Sequence, residues 1–211
     1  MRKRWIVLAT AAVFGLGWAS GQVFSQDMGG GEKPAGGEAA PGTPTPEEMA
    51  AWTKAATPGE PHRKLAEMEG DWEFKGSCWM APDAPAMEHT GTARLRMVYG
   101  GRYQLQEFGG TFMGMPIEGM GILGYDNTLK EYCGAWISSM STSVMTSRGT
   151  ADASGAISMS GECINPMGQK ESYREVFTVK DKDTMESVMY MKTPKHPEEY
   201  RFMVLTYTRK K

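Results

Sequence analysis

The chain has 211 residues, a formal net charge of −2, 40% hydrophobic residues and 23% charged ones. That length suits one domain with a sizeable core. A mildly acidic chain without Lys/Arg clusters has neither the electrostatic footprint of a nucleic-acid binder nor the polybasic face that anionic lipid attracts.

Residues 1–25 have the layout of an export signal. Arg2, Lys3 and Arg4 form a basic start, and Trp5 to Trp18 is an uncharged, mostly apolar run. Ala19-Ser20-Gly21 and Val23-Phe24-Ser25 both place small residues where a signal peptidase cuts. An uncleaved anchor is the alternative, but the run is short for a hydrocarbon core of ~30 Å. No Cys follows it for lipid attachment. The expectation is an exported protein, periplasmic or extracellular, with no membrane contact after cleavage.

Residues 26–60 are rich in Gly, Pro and Glu and offer little apolar surface, so they are expected to be a disordered linker. Within it, Pro46 to Trp52 has the signals for a turn of helix, with Thr45 as cap and Pro46 at the first position. Pro61–Glu69 is the better helix. Leu65 and Met68 share one side of it, and Gly70 can end it.

From Asp71 the hydrophobic period becomes two. Strands are predicted over Trp72–Trp79, Thr90–Tyr99, Arg102–Phe112, Ile117–Tyr125, Glu131–Ser139, Val144–Ala153, Ala156–Asn165, Glu171–Lys180, Thr184–Lys192 and Glu199–Arg209. The connectors carry turn chemistry: Gly100-Gly101, Asp126-Asn127, Ser154-Gly155, Asn165-Pro166-Met167-Gly168 and Asp181-Lys182-Asp183. Evenly spaced strands with short turns give an all-β antiparallel meander, a sandwich or a barrel. Both faces are partly apolar in the fifth and last strands, and closure would remove exposed edges, which favours the barrel.

Gly70-Asp71-Trp72, just after the short helix, resembles the Gly-x-Trp start of lipocalin-like, or calycin, barrels. That resemblance implies that Trp72 plugs one end of the barrel and that an Arg of the last strand packs across it. Arg209 is the candidate, with Arg201 second. From about Pro61 to Arg209 the chain resembles the bacterial family called domain of unknown function 1579. The matching segments include Pro82-Asp83-Ala84-Pro85, Gly101-Arg102-Tyr103, Met113-Gly114-Met115-Pro116, Gly119-Met120-Gly121, Gly124-Tyr125-Asp126, Tyr173-Arg174-Glu175 and Thr206-Tyr207-Thr208-Arg209. This second resemblance implies the barrel and brings no activity with it.

Ten strands closed into a barrel would leave room for a small ligand. Candidate ligand-binding residues are Arg102, Glu107, Tyr125, Trp136, Tyr173, Arg174, Glu175 and Tyr207. The four charged ones would anchor a polar group if they point inward, and would form cross-strand ion pairs if they point outward. No catalytic residue and no cofactor are assigned. His62, His89 and His196 fall at the helix start, at a loop edge and in a Pro-flanked loop, and none has a His or Cys partner at metal spacing. A haem ligand at His196 is the weaker alternative to a plain loop residue. Met113-x-Met115 and Met189-x-Met191 would put paired thioethers on one strand face, a soft-metal pattern that core filling explains as well. Cys78, Cys133 and Cys163 allow at most one disulfide, or serve as three small buried hydrophobes. Ser138 to Ser143 is hydroxyl-rich but has no nucleophile elbow. The function expected is binding of a small apolar or amphipathic molecule. The alternatives are an enzyme using the same cavity, or a structural or interaction protein with a filled barrel.

Overall fold

In the structure, a computed structural model that describes residues 42–211, side chains alternate inward and outward through ten strands. They are β1 (Gly70–Cys78), β2 (Met87–Val98), β3 (Tyr103–Phe112), β4 (Met115–Asp126), β5 (Glu131–Ser138), β6 (Met145–Ala151), β7 (Ile157–Ile164), β8 (Lys170–Asp181), β9 (Thr184–Lys192) and β10 (Tyr200–Arg209). Each pairs antiparallel with its sequence neighbour. β1 also pairs with β10, from Trp72↔Arg209 to Cys78↔Met203, so the sheet is a closed barrel without an open edge. The expected export signal and the first part of the expected linker lie outside the described residues.

Two helices precede the barrel, α1 (Pro46–Ala56) and α2 (Glu60–Glu67). α1 falls in the stretch expected to be a linker and runs well past the single turn expected there. A capping box explains its start. The Thr45 hydroxyl accepts from the Glu48 amide at 3.2 Å, and the Glu48 carboxylate accepts from the Thr45 amide at 2.6 Å. No residue of α1 is buried. Asn127, in the turn after β4, donates to the carbonyls of Ala55 and Thr57 and holds the end of α1.

α2 does more. The Gly59 amide donates to Nδ1 of His62 at 3.0 Å, which satisfies one free donor of the helix start. Leu65 and Met68 then enter a buried cluster with Trp72, Phe74, Leu95, Leu123, Tyr132, Met185 and Leu205. The helix stops one end of the barrel, and the core continues from it into the interior.

The strand limits differ from the sequence reading by a few residues, and one difference matters. β2 begins at Met87 and not at Thr90, so His89 is a strand residue paired with Gly76 rather than a loop edge. The loop before it, with Pro82 and Pro85, is shorter than the sequence suggests. The cysteines are free thiols in strands. Met113 sits at the β3–β4 turn with φ 53° and Met115 opens β4, both exposed, so the pair does not share one strand face.

Candidate functional site

The stopped end is built from mutual satisfaction. The Trp72 indole is 1% exposed, and its N–H donates to the Met68 carbonyl at 3.0 Å. Arg209 lies over the ring with its guanidinium carbon 4.2 Å from the centroid, a cation–π contact. The same guanidinium donates to the carbonyls of Glu67 (3.0 Å), Glu69 and Lys182 (2.8 Å). It therefore also caps the end of α2, where free carbonyls collect. Gly70 makes this possible. Its φ is +144°, and a Cβ there would lie 2.3 Å from the Arg209 guanidinium. Gln104, fully buried, donates to the Leu65 carbonyl at 2.7 Å and accepts from Gln106 at 3.0 Å.

Beyond this plug the barrel holds a cavity of about 360 Å³. That lies at the small end of ligand pockets and equals the liquid volume of about a dozen waters. Phe108, Phe112, Trp136, Phe177 and Phe202 supply aromatic faces, and Met145, Met159, Met185, Met189, Met191 and Met203 supply thioethers. A register shift between Arg201 and Met203 lets the adjacent Phe202 and Met203 both line it. Polar groups are few: Gln106, Ser138, Ser147, Cys163, Tyr173, Glu175, Tyr207 and His89.

Glu175 is the ionisable acid of this lining. On β8 it stands opposite Met159 of β7 and Met189 of β9. Its Oε1 accepts from the Ser187 hydroxyl at 2.5 Å, and Ser187 is fully buried. Burial pushes the carboxyl up to about 7, and the Ser187 hydrogen bond only partly opposes that. Tyr207 is 8% exposed. Burial first, and then the nearby Glu175, raise its phenol. Tyr173 donates to the Thr146 carbonyl at 3.1 Å, and its ring occupies the space left by Gly161, where a Cβ would lie 2.5 Å from the hydroxyl.

His89 is 2% exposed and neither ring nitrogen has a hydrogen-bond partner. It packs among Phe74, Phe108 and Phe112, with centroids 5.3 to 5.8 Å away. Burial lowers its pKa, so it is a neutral imidazole. Leaving a buried polar group unpaired costs roughly 1–3 kcal/mol. Sequence reading placed His89 at a loop edge. Its alternation with the glycine and alanine of β2 was the available signal, and the early start of that strand hid it.

Of the eight candidates named from sequence, Trp136, Tyr173, Glu175 and Tyr207 line the cavity. The other four do not. Tyr125 packs edge-on to Tyr132 at 5.0 Å and to His62 at 6.0 Å, beside α2. Arg102 follows the β2–β3 turn and donates to the Tyr99 carbonyl. Glu107 is on the outer face, where both its oxygens meet Arg96, at 2.9 and 3.1 Å. Arg174 points outward to Glu199, at 2.6 and 3.0 Å, with its guanidinium over Tyr190. Strand alternation decides this: Tyr173 and Glu175 point inward, and Arg174 between them must point outward. A larger, shallower hollow of about 760 Å³ lies on the outer wall near Asp71, Arg94 and Glu107. Arg94 and Asp71 pair there at 2.7 Å in a solvated face.

His196 lies in the β9–β10 loop, stacked edge-on to Tyr200 at 5.6 Å. Among the described residues no three His, Cys, Asp or Glu side chains group to hold a metal. No described helix is long and apolar enough to cross a membrane.

The fold has relatives among solved structures. The S-type phycobiliprotein lyase CPES from Guillardia theta superposes with a TM-score of 0.51 at 13% identity, over 76% of this chain and 97% of that one. Rv2717c from M. tuberculosis gives 0.52 at 13% identity, over 74% of this chain and 100% of that one. No curated protein matches the chain. The model of the family described as "Protein of unknown function (DUF1579)" matches residues 57–209, and the chain belongs to that family. The match begins where α1 ends and covers α2 and the whole barrel.

Proposed function

We propose that this member of the DUF1579 family is an exported binding protein that holds one small, mainly apolar molecule in its barrel cavity. The observation that carries the reading is the cavity itself: about 360 Å³ lined mainly by aromatic and thioether side chains, with the unpartnered imidazole of His89 in its wall. The aromatic and thioether lining suits an apolar body, because both side-chain types adapt to flat and irregular shapes. Solvent is displaced from a space of about 360 Å³, which sets the size of the molecule. Export rests on the layout of residues 1–25, and places the mature start after Gly21 or Ser25. Residues 1–20 found intact on membrane-bound protein from its own host would refute cleavage.

Native mass spectrometry of protein purified from that host tests binding. The expected result is an added mass that denaturation removes. A protein that is ligand-free by this measure, and whose cavity methyl signals do not shift with any apolar probe, would be a filled structural barrel instead.

A second reading is favoured by Glu175. A carboxyl raised by burial to about 7 in a cavity wall is suited to general acid–base chemistry. Its mark would be conversion of the co-purified molecule by the wild-type protein and not by Glu175→Gln.

A further inference from the structure

The charge of the cavity is one-sided. Its lining holds the Glu175 carboxyl and neither Lys nor Arg. Arg174, adjacent in sequence, is turned outward and already paired with Glu199. The groups that face Glu175 are Met159 from β7, Met189 and Ser187 from β9, Tyr207 from β10 and Tyr173 from its own strand. None carries positive charge. Ser187 holds one carboxylate oxygen, and Glu175 is part of the cavity lining.

We infer, building on the cavity-binding reading, that the ligand is an organic cation: a mainly apolar amine or ammonium whose charge meets the Glu175 carboxylate. An anionic amphiphile would place its charge in a cavity with a carboxyl and no cation to pair with it. A neutral molecule leaves Glu175 desolvated and without a counter-charge. A cation supplies that counter-charge, and Phe177, Trp136 and Tyr207 add ring faces that attract it. His89 does not oppose it, because burial among aromatic rings lowers its pKa and disfavours a positive charge there.

Three probes of one shape separate the possibilities: naphthylmethylamine, naphthylmethanol and naphthoate, titrated calorimetrically into the mature protein at pH 8. The amine is expected to bind at least about tenfold more tightly than the alcohol, as a charge-assisted hydrogen bond does relative to a neutral one, with naphthoate weakest. In Glu175→Gln the amine is expected to fall to the affinity of the alcohol. The wild-type series stands even if that variant does not fold, which its thermal melt reports. Equal affinity of amine and alcohol in the wild type overturns the cation and leaves the cavity reading intact. Equal affinity of the amine for wild type and Glu175→Gln also overturns it, since the charge is then met on the acidic outer surface. Failure of all three to bind overturns both.

Discussion

The two halves of the barrel interior use the same strands for opposite ends. Near α2, polar groups answer one another: Trp72 and Gln104 donate to helix carbonyls, and Arg209 caps the helix while covering the indole. In the cavity, His89 has no partner and Glu175 is held by one hydroxyl. β3 and β10 contribute to both regions, since Gln104 and Arg209 belong to the plug while Phe108, Leu205 and Tyr207 line the cavity. The lesson is that satisfied buried polar groups stabilise the fold, whereas unsatisfied ones cost stability, a cost that the proposed ligand would offset.

The largest expected effect breaks the plug. Trp72→Ala empties core volume and releases Arg209, and should destabilise by about 3–5 kcal/mol in denaturant titration. A loss below about 1 kcal/mol would show that the plug is not what holds the barrel end.

The next concerns the cavity and depends on pH. The Glu175 carboxyl moves from an ordinary value of 4.5 to about 7 in the fold. Between these values the folded state keeps a proton that the unfolded chain has lost. Stability therefore falls as pH rises through this window, by about 3 kcal/mol, and the whole penalty is present above it. Glu175→Gln removes the penalty. The variant should be more stable than wild type at pH 8 and about equal to it at pH 4.5. The same difference at both pH values would disprove the burial of an uncompensated carboxyl.

Arg209→Ala should destabilise by about 2 kcal/mol, from the cation–π contact and the carbonyl hydrogen bonds together. Its effect should be non-additive with Trp72→Ala, because the two share a contact at 4.2 Å. Strict additivity in a double-mutant cycle would separate the two residues and weaken the account of the plug. The smallest effect is expected outside both regions. A chain starting at Thr57 loses α1, which buries nothing, and its melting should change by less than about 4 °C, the shift of roughly 1 kcal/mol. A larger drop would mean that the contact of Asn127 with Ala55 is part of the fold's support.

Local chemistry in the sequence determined the strands and turns. Period-two alternation, Gly-Gly and Asp-Asn turns and the helix signals around Leu65 are short-range properties, and the chain shows ten strands where they predict them. The Gly-x-Trp start was legible only through its resemblance to calycin barrels; the structure supplies the reason for the glycine, which leaves the space that the Arg209 guanidinium fills. What sequence could not supply was phase: which of two adjacent residues faces inward. Arg174 and Glu175 look alike as charged strand residues. Pairing in the closed sheet decides that the first meets Glu199 outside and the second faces a cavity inside. A slip of one residue exchanges the two faces of a strand, and register is fixed by partners distant in sequence. His89 shows the same dependence. Its isolation among Phe74, Phe108 and Phe112 arises from β1, β2 and β3 curving into one wall; alternation within β2 marks the face of His89 but not these neighbours.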